Sequence, residues 1–564
     1  MRRSTAVLFY GSLLVLRVLL ALTPSYIHPD EFFQAPEISA GDILKLDVQR
    51  TWEFTSAKPI RSILPVFVFT GPPLALLRVM RDVFGVSISS AWLFRASRGF
   101  AALLSLLVDV NVLGAIRRSS PGVQLQATAV LLASSYCVLV FHTHTFSNAY
   151  ASVVLSVCFN LLSRIEQCKV RKSTVPVGVC VGFGCLMTFG SFVHISFAMF
   201  AMPLGIGAVV MAGIGGAAWM ALGGIFAASV AVTADTAYYG GSLSAPVLTM
   251  ANNFRYNSDA DNLATHGRHP RFMHLLVSLP LLFGPLLFLA LYGLWAAIKR
   301  RQTVSYLSTC AGASVICGLG LLSLAPHQEP RFMVPALSGI FVASWRWHRV
   351  APRHFWILWV VFNLAMALIF GVVHQTGIVP AARYLAETSV FGSPVCKQIA
   401  GSPAHAVCMP STLKAVEDPW VAADNVTTRA LFYRSFPAPR HLLNQPLQPE
   451  HPMARVKITD LIMISDADAQ SILLNQPLVR CSLATEDIDK TSVFLQTELG
   501  HFERSLLAVP ASADIAQIIR PLGSSVHLIP LFSYRPHVNF DHIAEVLRNP
   551  MQRSSFDIFL MCQT

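Results

Sequence analysis

Charge is what this sequence has least of. Only 13% of its 564 residues are Asp, Glu, Lys or Arg, and just 30 are acidic, where a soluble domain carries about 25% charged residues. With 54% hydrophobic residues and a mean hydropathy of +0.54, that shortage excludes an ordinary soluble enzyme. Metal-binding cysteine patterns are missing as well, since neither CxxC nor a Cys/His zinc spacing occurs. Seven of the eleven cysteines (Cys137, Cys158, Cys168, Cys180, Cys185, Cys310 and Cys317) lie in or beside apolar segments, where a thiol is a small hydrophobe. The net charge of +12 is split into short clusters between apolar runs and forms no amphipathic face, which argues against nucleic acid as a partner.

A bilayer-spanning helix needs about 20 apolar residues. Eleven or twelve such runs fill the first 375 residues, so the sequence reads as an all-α polytopic membrane module over 1–376 with about 11 transmembrane helices, followed by a mixed α/β soluble region over 377–564. Met1-Arg2-Arg3 precedes an apolar stretch from Ala6 to Leu22, read as a retained first helix that starts in the cytosol. The basic clusters Arg117-Arg118, Lys169 to Lys172, Lys299 to Arg301 and Arg346 to Arg353 mark further cytosolic turns. The loop 23–61, with six acids, then falls outside the cytosol, together with the loop 236–271 and the turns around His142 to Asn148 and Pro326 to Arg331. Two stretches, 62–82 and 98–116, both look like spans, yet counting both inverts every later loop, so either one of them is re-entrant or Arg117-Arg118 breaks the charge rule. In the soluble region, Asn425-Val426-Thr427 is an N-glycosylation sequon, and Cys396, Cys408, Cys481 and Cys562 could pair in an oxidising lumen.

The polar residues gather on that outer face. His28-Pro29-Asp30-Glu31 follows the first helix at headgroup level, Pro326 to Phe332 supplies His327, Glu329 and Arg331 in one short turn, and the loop from Asp235 adds Tyr239, Asn253, His266 and His269. Any one of these groups could be a solvated boundary feature, an aromatic belt or a surface ion pair of little value. Their clustering suits transfer of a sugar from a polyprenyl phosphate, in which an Arg or His stabilises the departing phosphate and one carboxylate deprotonates the acceptor hydroxyl. Asp109 lies within an apolar run, where an acid is costly, and has no assigned role. His142 and His144 would need a third ligand to hold a metal.

His28-Pro29-Asp30-Glu31-Phe32-Phe33-Gln34 together with His327-Gln328-Glu329-Pro330-Arg331-Phe332 resembles the lumenal signatures of the family 22 GT-C mannosyltransferases. Supporting stretches, in order, include Thr51 to Phe54, Pro59 to Pro65, Thr145 to Asn148, Asp235 to Tyr239, Asn252 to Asn257, His266 to Arg271 and Val373 to Gly377. The form His-Gln-Glu-Pro-Arg-Phe is closest to the branch that adds a fourth mannose to glycosylphosphatidylinositol (GPI) precursors. The resemblance implies a multi-pass enzyme of the endoplasmic reticulum membrane with a lumenal site. Its donor would be dolichyl phosphate mannose, its acceptor the trimannosyl GPI precursor, and its product an α-1,2 linkage made with inversion, with no cofactor and no metal. Asp30 would be the general base and Glu31 would orient it or the acceptor. His28, Arg61, Asp235, Tyr239, Asn253, His269, His327, Glu329 and Arg331 would bind the donor phosphate or the acceptor. Alternatives are an α-1,2-mannosyltransferase for the third GPI mannose or for lipid-linked oligosaccharide, a transporter, and a non-catalytic subunit.

Overall fold

The computed structural model describes residues 3–563 except 243, 265–266, 302–303, 392–394, 399–405, 410–420, 423–425, 448–454, 463, 483–493, 498–501, 514 and 520–525. His266 and the sequon Asn425 fall outside the described residues.

Helix α1 (Arg3–Ala21) leads to a loop carrying the short helices α2 (Asp30–Phe33), α3 (Pro36–Leu44) and α4 (Trp52–Thr55). Next come α5 (Ile63–Phe84), α6 (Ser90–Ser119), α7 (Gln126–Ser134), α8 (Tyr136–Leu139), α9 (Ser147–Val170), α10 (Val177–Val193) and α11 (Phe197–Tyr238). Helices α12 (Thr249–Ser258) and α13 (Ala260–Ala264) lie in the next loop, and α14 (Leu279–Phe283), α15 (Pro285–Lys299), α16 (Tyr306–Leu324), α17 (Ala336–His348) and α18 (Arg353–Leu368) complete the bundle.

Two details settle the crossings. Helix α5 has the length and hydropathy of a span, but one of its ends meets the end of α11 and the other meets the 23–61 loop, two segments that Tyr238 joins by donating to Asp42 at 2.7 Å. The Ile63 N–H donates to Asp235 at 2.8 Å, and Arg81 near the other end donates to the Leu44 carbonyl at 3.1 Å. The connection to α6 stays on this face too, where Asn444 donates to the Ile88 carbonyl at 2.6 Å. Stretch 62–82 is therefore not a crossing, whereas α6 is. Arg98 near its start pairs with Glu31, and Arg118 at its far end bonds Asn160 and Ser163 of α9. The second detail is α11, whose 42 residues would make a rod of about 63 Å, twice a hydrocarbon core. Gly213 breaks it with φ +69°, a conformation that suits glycine, and splits it into a hairpin. Both arms pack on α10, Gly205 against Met187 in one arm and Met220 against Gly184 in the other.

Seven of the described helices, α5 among them, are long and apolar enough to cross a membrane, or nine if the bent pairs Gln126–Ser134 plus Tyr136–Thr143 and His274–Phe283 plus Pro285–Lys299 are one span each; without α5, with α11 as two arms and with the shorter helices α10 and α17, the bundle has eleven segments. The alternation is regular. The ends of α1, α8 and α10, the start of α9 and the turn between α16 and α17 share the face of the 23–61 loop, and the basic clusters lie at the far end. Inside the bundle, Asp109 accepts from Arg17 at 2.9 Å and from Tyr10 at 2.6 Å, tying α6 to α1. Each ion of that pair is 1% exposed, and their mutual charge compensation is what lets them sit in an apolar bundle. His142 and His144 are also braces, each with both ring nitrogens bonded: His142 to the Cys137 carbonyl and Ser152, His144 to the Val140 carbonyl and Ser25.

The region after the last crossing begins with α19 (Ile378–Phe391) and builds a ten-stranded sheet. At its centre Val426–Tyr433 runs parallel to both Arg455–Leu461 and Phe502–Pro510, and Phe556–Gln563 pairs antiparallel with the latter. The β-branched run of the sequence forms Arg455–Leu461, whose side chains alternate between exposed and buried as a half-covered strand requires. The sheet docks on the membrane module. Ile458, Phe432 and Phe556 share one apolar cluster with Phe32, Phe33, Leu74 and Leu77. The stretch Val373 to Gly377 is the hinge of that docking: Val373 and Gln375 exchange backbone bonds with Val538, and the Gly377 N–H donates to His537. A Cβ on Gly377 would meet Phe556 at 2.2 Å.

Candidate active site

Asp30 opens α2 directly beneath the docked sheet. Pro29 precedes it, so the chain turns from α1 into a short helix whose first side chain points out of the loop. Its side chain is 27% exposed, while those of Glu31, Phe32 and Phe33 turn inward. One Asp30 oxygen accepts from Arg331 at 2.7 Å and from Gln34 at 2.6 Å, and the other lies 3.5 Å from His28 Nδ1. Arg331 also bonds Glu329, which accepts from His327 at 2.7 Å and lies 3.9 Å from His28 Nε2. The guanidinium sits 5.9 Å from the ring centre of Phe146 and 5.6 Å from that of Phe332. Thus the two motifs, almost 300 residues apart in sequence, form one alternating set of charges.

Electrostatics follow from this layout. Burial alone would raise the Asp30 carboxyl, but the Arg331 guanidinium and His28 outweigh it and hold the group well below the usual carboxylate range. Glu329 is held low in the same way by Arg331 and His327. Burial works against the Arg331 charge, yet its two carboxylates keep it more firmly protonated than a free arginine. In short, Asp30 is an ionised acceptor whose cationic partner is shared.

A second cation stands nearby. Arg61 donates to Glu53 at 2.9 Å, and Gln34 links Glu53 back to Asp30, with its amide 3.5 Å from Glu53 and 2.6 Å from Asp30. Three residues expected at the substrate brace the turn that carries Arg61. Tyr239 donates to the Arg61 carbonyl at 2.7 Å, Asn253 to the Ile60 carbonyl at 3.0 Å, and Asp235 accepts from Ser62, Ile63 and Thr249. His269 has the same office for the other motif, accepting the Gln328 N–H at 3.2 Å while its own N–H bonds the Pro326 carbonyl.

Of the two roles expected of Glu31, orienting Asp30 or the acceptor, its surroundings suit the first. It is wholly buried, pairs with Arg98 at 2.9 Å, and has its backbone carbonyl bonded by Thr145, so it cannot meet an acceptor. Burial pushes its carboxyl up to about 8 even with the guanidinium alongside. Its carboxylate anchors α2 to the bundle and so acts on Asp30 through the backbone. Two participants went unseen in the sequence. Gln34 follows Asp30 by four residues, a helical spacing that could have flagged it. His194, at the end of α10, bonds Asn148 and Ser196 and lies near Arg61, Arg331 and Asp30; burial and the two cations push it down to about 3. A lone histidine between two apolar runs carried no signal. Among the described residues no group of three His, Cys, Asp or Glu side chains could hold a metal ion.

The chain is 30% identical over 558 residues to GPI mannosyltransferase 4 of Aspergillus oryzae, covering 95% of this chain and 93% of that one. It is 30% identical over 476 residues to GPI alpha-1,2-mannosyltransferase 4 of Homo sapiens, covering 78% and 76%. Among solved structures, ArnT from Cupriavidus metallidurans in the apo state aligns over 99% of this chain and 98% of that one, with a TM-score of 0.47 and 14% identity. The model of the Alg9-like mannosyltransferase family matches residues 8–395, a span that contains every residue of the site above. The chain belongs to the Alg9-like mannosyltransferase family.

Proposed function

We propose that this chain transfers mannose from dolichyl phosphate mannose to the third mannose of a GPI precursor, in an α-1,2 linkage and with inversion, at the lumenal face of the endoplasmic reticulum membrane. The observation that carries the reading is the partly open carboxylate of Asp30 sharing Arg331 with Glu329 at the membrane boundary. As the acceptor hydroxyl attacks the anomeric carbon, Asp30 takes its proton and the C–O bond to the lipid phosphate breaks. Arg331 and Arg61 meet the charge that builds on that phosphate. A phosphate bound at Arg331 competes with Asp30 for the guanidinium, which loosens the ion pair and makes the carboxylate a better base once the donor is in place. The reading needs neither metal nor cofactor. Its regiochemistry and acceptor rest on the GPI mannosyltransferase relatives.

The test is transfer of labelled mannose from dolichyl phosphate mannose, in microsomes containing this chain, onto GPI precursors bearing two or three mannoses. A four-mannose product, reduced at least about 100-fold by Asp30→Asn, is expected. Elongation of the two-mannose acceptor alone would reassign the enzyme to the third mannose. Near-normal transfer by the variant would remove Asp30 as the base.

A further inference from the structure

The segment of the C-terminal region that follows strand Val426–Tyr433 is built into the site. Glu37 of α3, fully buried, accepts the backbone N–H groups of Arg440 and His441 at 3.1 and 3.2 Å and pairs with the His441 imidazole. Tyr26 donates to the Pro437 carbonyl at 3.0 Å. Arg440 is in turn held by Asp460 and the Ile458 carbonyl. A carboxylate aimed at successive backbone amides 400 residues away in sequence leaves the segment little freedom.

The residue so positioned is Phe436. Its ring meets Tyr26 edge-on at 5.3 Å, His374 at 5.8 Å, and on its remaining side tilts toward His28 at 6.3 Å. His28 is the residue between Asp30 and Glu329, and its side chain is 35% exposed. Phe436 is itself only partly buried, so both rings keep exposed surface near the partly exposed carboxylate of Asp30. Arg331, which bonds Asp30, is flanked instead by Phe146 and Phe332 of the membrane module.

We infer that Phe436 and His28 form an acceptor subsite, in which the C–H face of a hexopyranose packs on the phenyl ring and a sugar hydroxyl bonds the imidazole. This rests on the transferase reading above. The C–H face of the sugar ring is the one part of it that an aromatic ring can desolvate at little cost, while its hydroxyl edge needs a polar partner of the kind His28 offers. The C-terminal region thus supplies one wall of the site.

The test uses the full-length protein in detergent. Phe436→Ala is expected to raise the acceptor KM about 5- to 10-fold, leave the donor KM within about 2-fold and still unfold cooperatively, with Phe436→Tyr restoring the acceptor KM. In parallel, a photoreactive α-mannotrioside is expected to label the segment 434–441, with free mannotriose competing. Equal effects on both KM values, or labelling that avoids this segment, would overturn the subsite. Labelling there by a parent protein that transfers mannose to no GPI precursor would instead overturn the transferase reading and leave the subsite standing.

Discussion

Removing one member of the Glu31–Arg98 pair should produce an asymmetric loss of stability. The two side chains are 0% and 1% exposed and 2.9 Å apart. In Glu31→Leu the guanidinium keeps its bond to the Ser25 carbonyl at 2.7 Å and the rings of Phe94 and Phe32 at 5.3 and 5.8 Å, but no anion. An arginine cannot shed its proton, so the cost should reach the about 3–5 kcal/mol typical of a broken buried pair. In Arg98→Met the carboxyl, which burial already holds toward its protonated form, stays neutral, which limits the cost to about 1–3 kcal/mol for the polar groups left unpaired. The variants also differ in pH dependence. A carboxyl whose folded pKa is raised contributes stability below its unfolded value and loses it as the pH climbs toward the folded one. The parent and Arg98→Met should therefore lose stability in parallel between about pH 5 and 8, their difference widening only above pH 8, whereas the Glu31→Leu deficit should shrink across that range because only the parent carries the raised carboxyl. Combining the two should recover most of the loss. The assay is thermal unfolding of the purified protein in detergent across that pH range. A Glu31→Leu protein as stable as the parent yet inactive would refute the anchoring role and return Glu31 to the chemistry.

Three further outcomes are expected. Arg331→Gln removes the cation that holds the Asp30 carboxyl low against its burial, so the acid limb of the pH–rate profile should move to higher pH while the donor KM rises; an unmoved limb would show that Arg331 does not set the state of Asp30. Gly184→Ala places a Cβ 1.9 Å from the Met220 carbonyl, where α10 meets the second arm of α11, and should cost about 1–3 kcal/mol in thermal unfolding; Gly178→Ala on the same helix, with open space around it, should be tolerated. Endoglycosidase should shift the mobility of the parent and not of Asn425→Gln, and resistance in both would count against a lumenal C-terminal region.

How far the sequence carries can be judged residue by residue. Hydropathy and the basic clusters were enough for a many-span bundle and for the face on which Asp30, His327 and Arg331 lie, because bilayer thickness and loop charge act on local sequence. The same local rule fails for α5, which has a span's length and hydropathy and turns back because its two ends bond Asp235 and Leu44, contacts between distant segments. Gly213 is one glycine among 33, and only the positive φ it adopts shows it to be a turn. Motif spacing brought Asp30 and Arg331 together as types of residue, but not as partners at 2.7 Å. The resemblance named Asp30 as the base and Glu31 as orienting it or the acceptor, but adjacent residues at a helix start point in different directions, and only the surrounding packing shows that Asp30 is the one left partly exposed. Nor could motif spacing foresee that Glu37 would reach across to His441 and draw Phe436 to the edge of the site. Composition, charge and periodicity are sums over neighbours in the chain and are decided by the sequence alone; the exposure of Asp30 beside a buried Glu31, the shared arginine and the reach of Glu37 to His441 depend on pairings between segments distant in the chain, which only the packed structure decides.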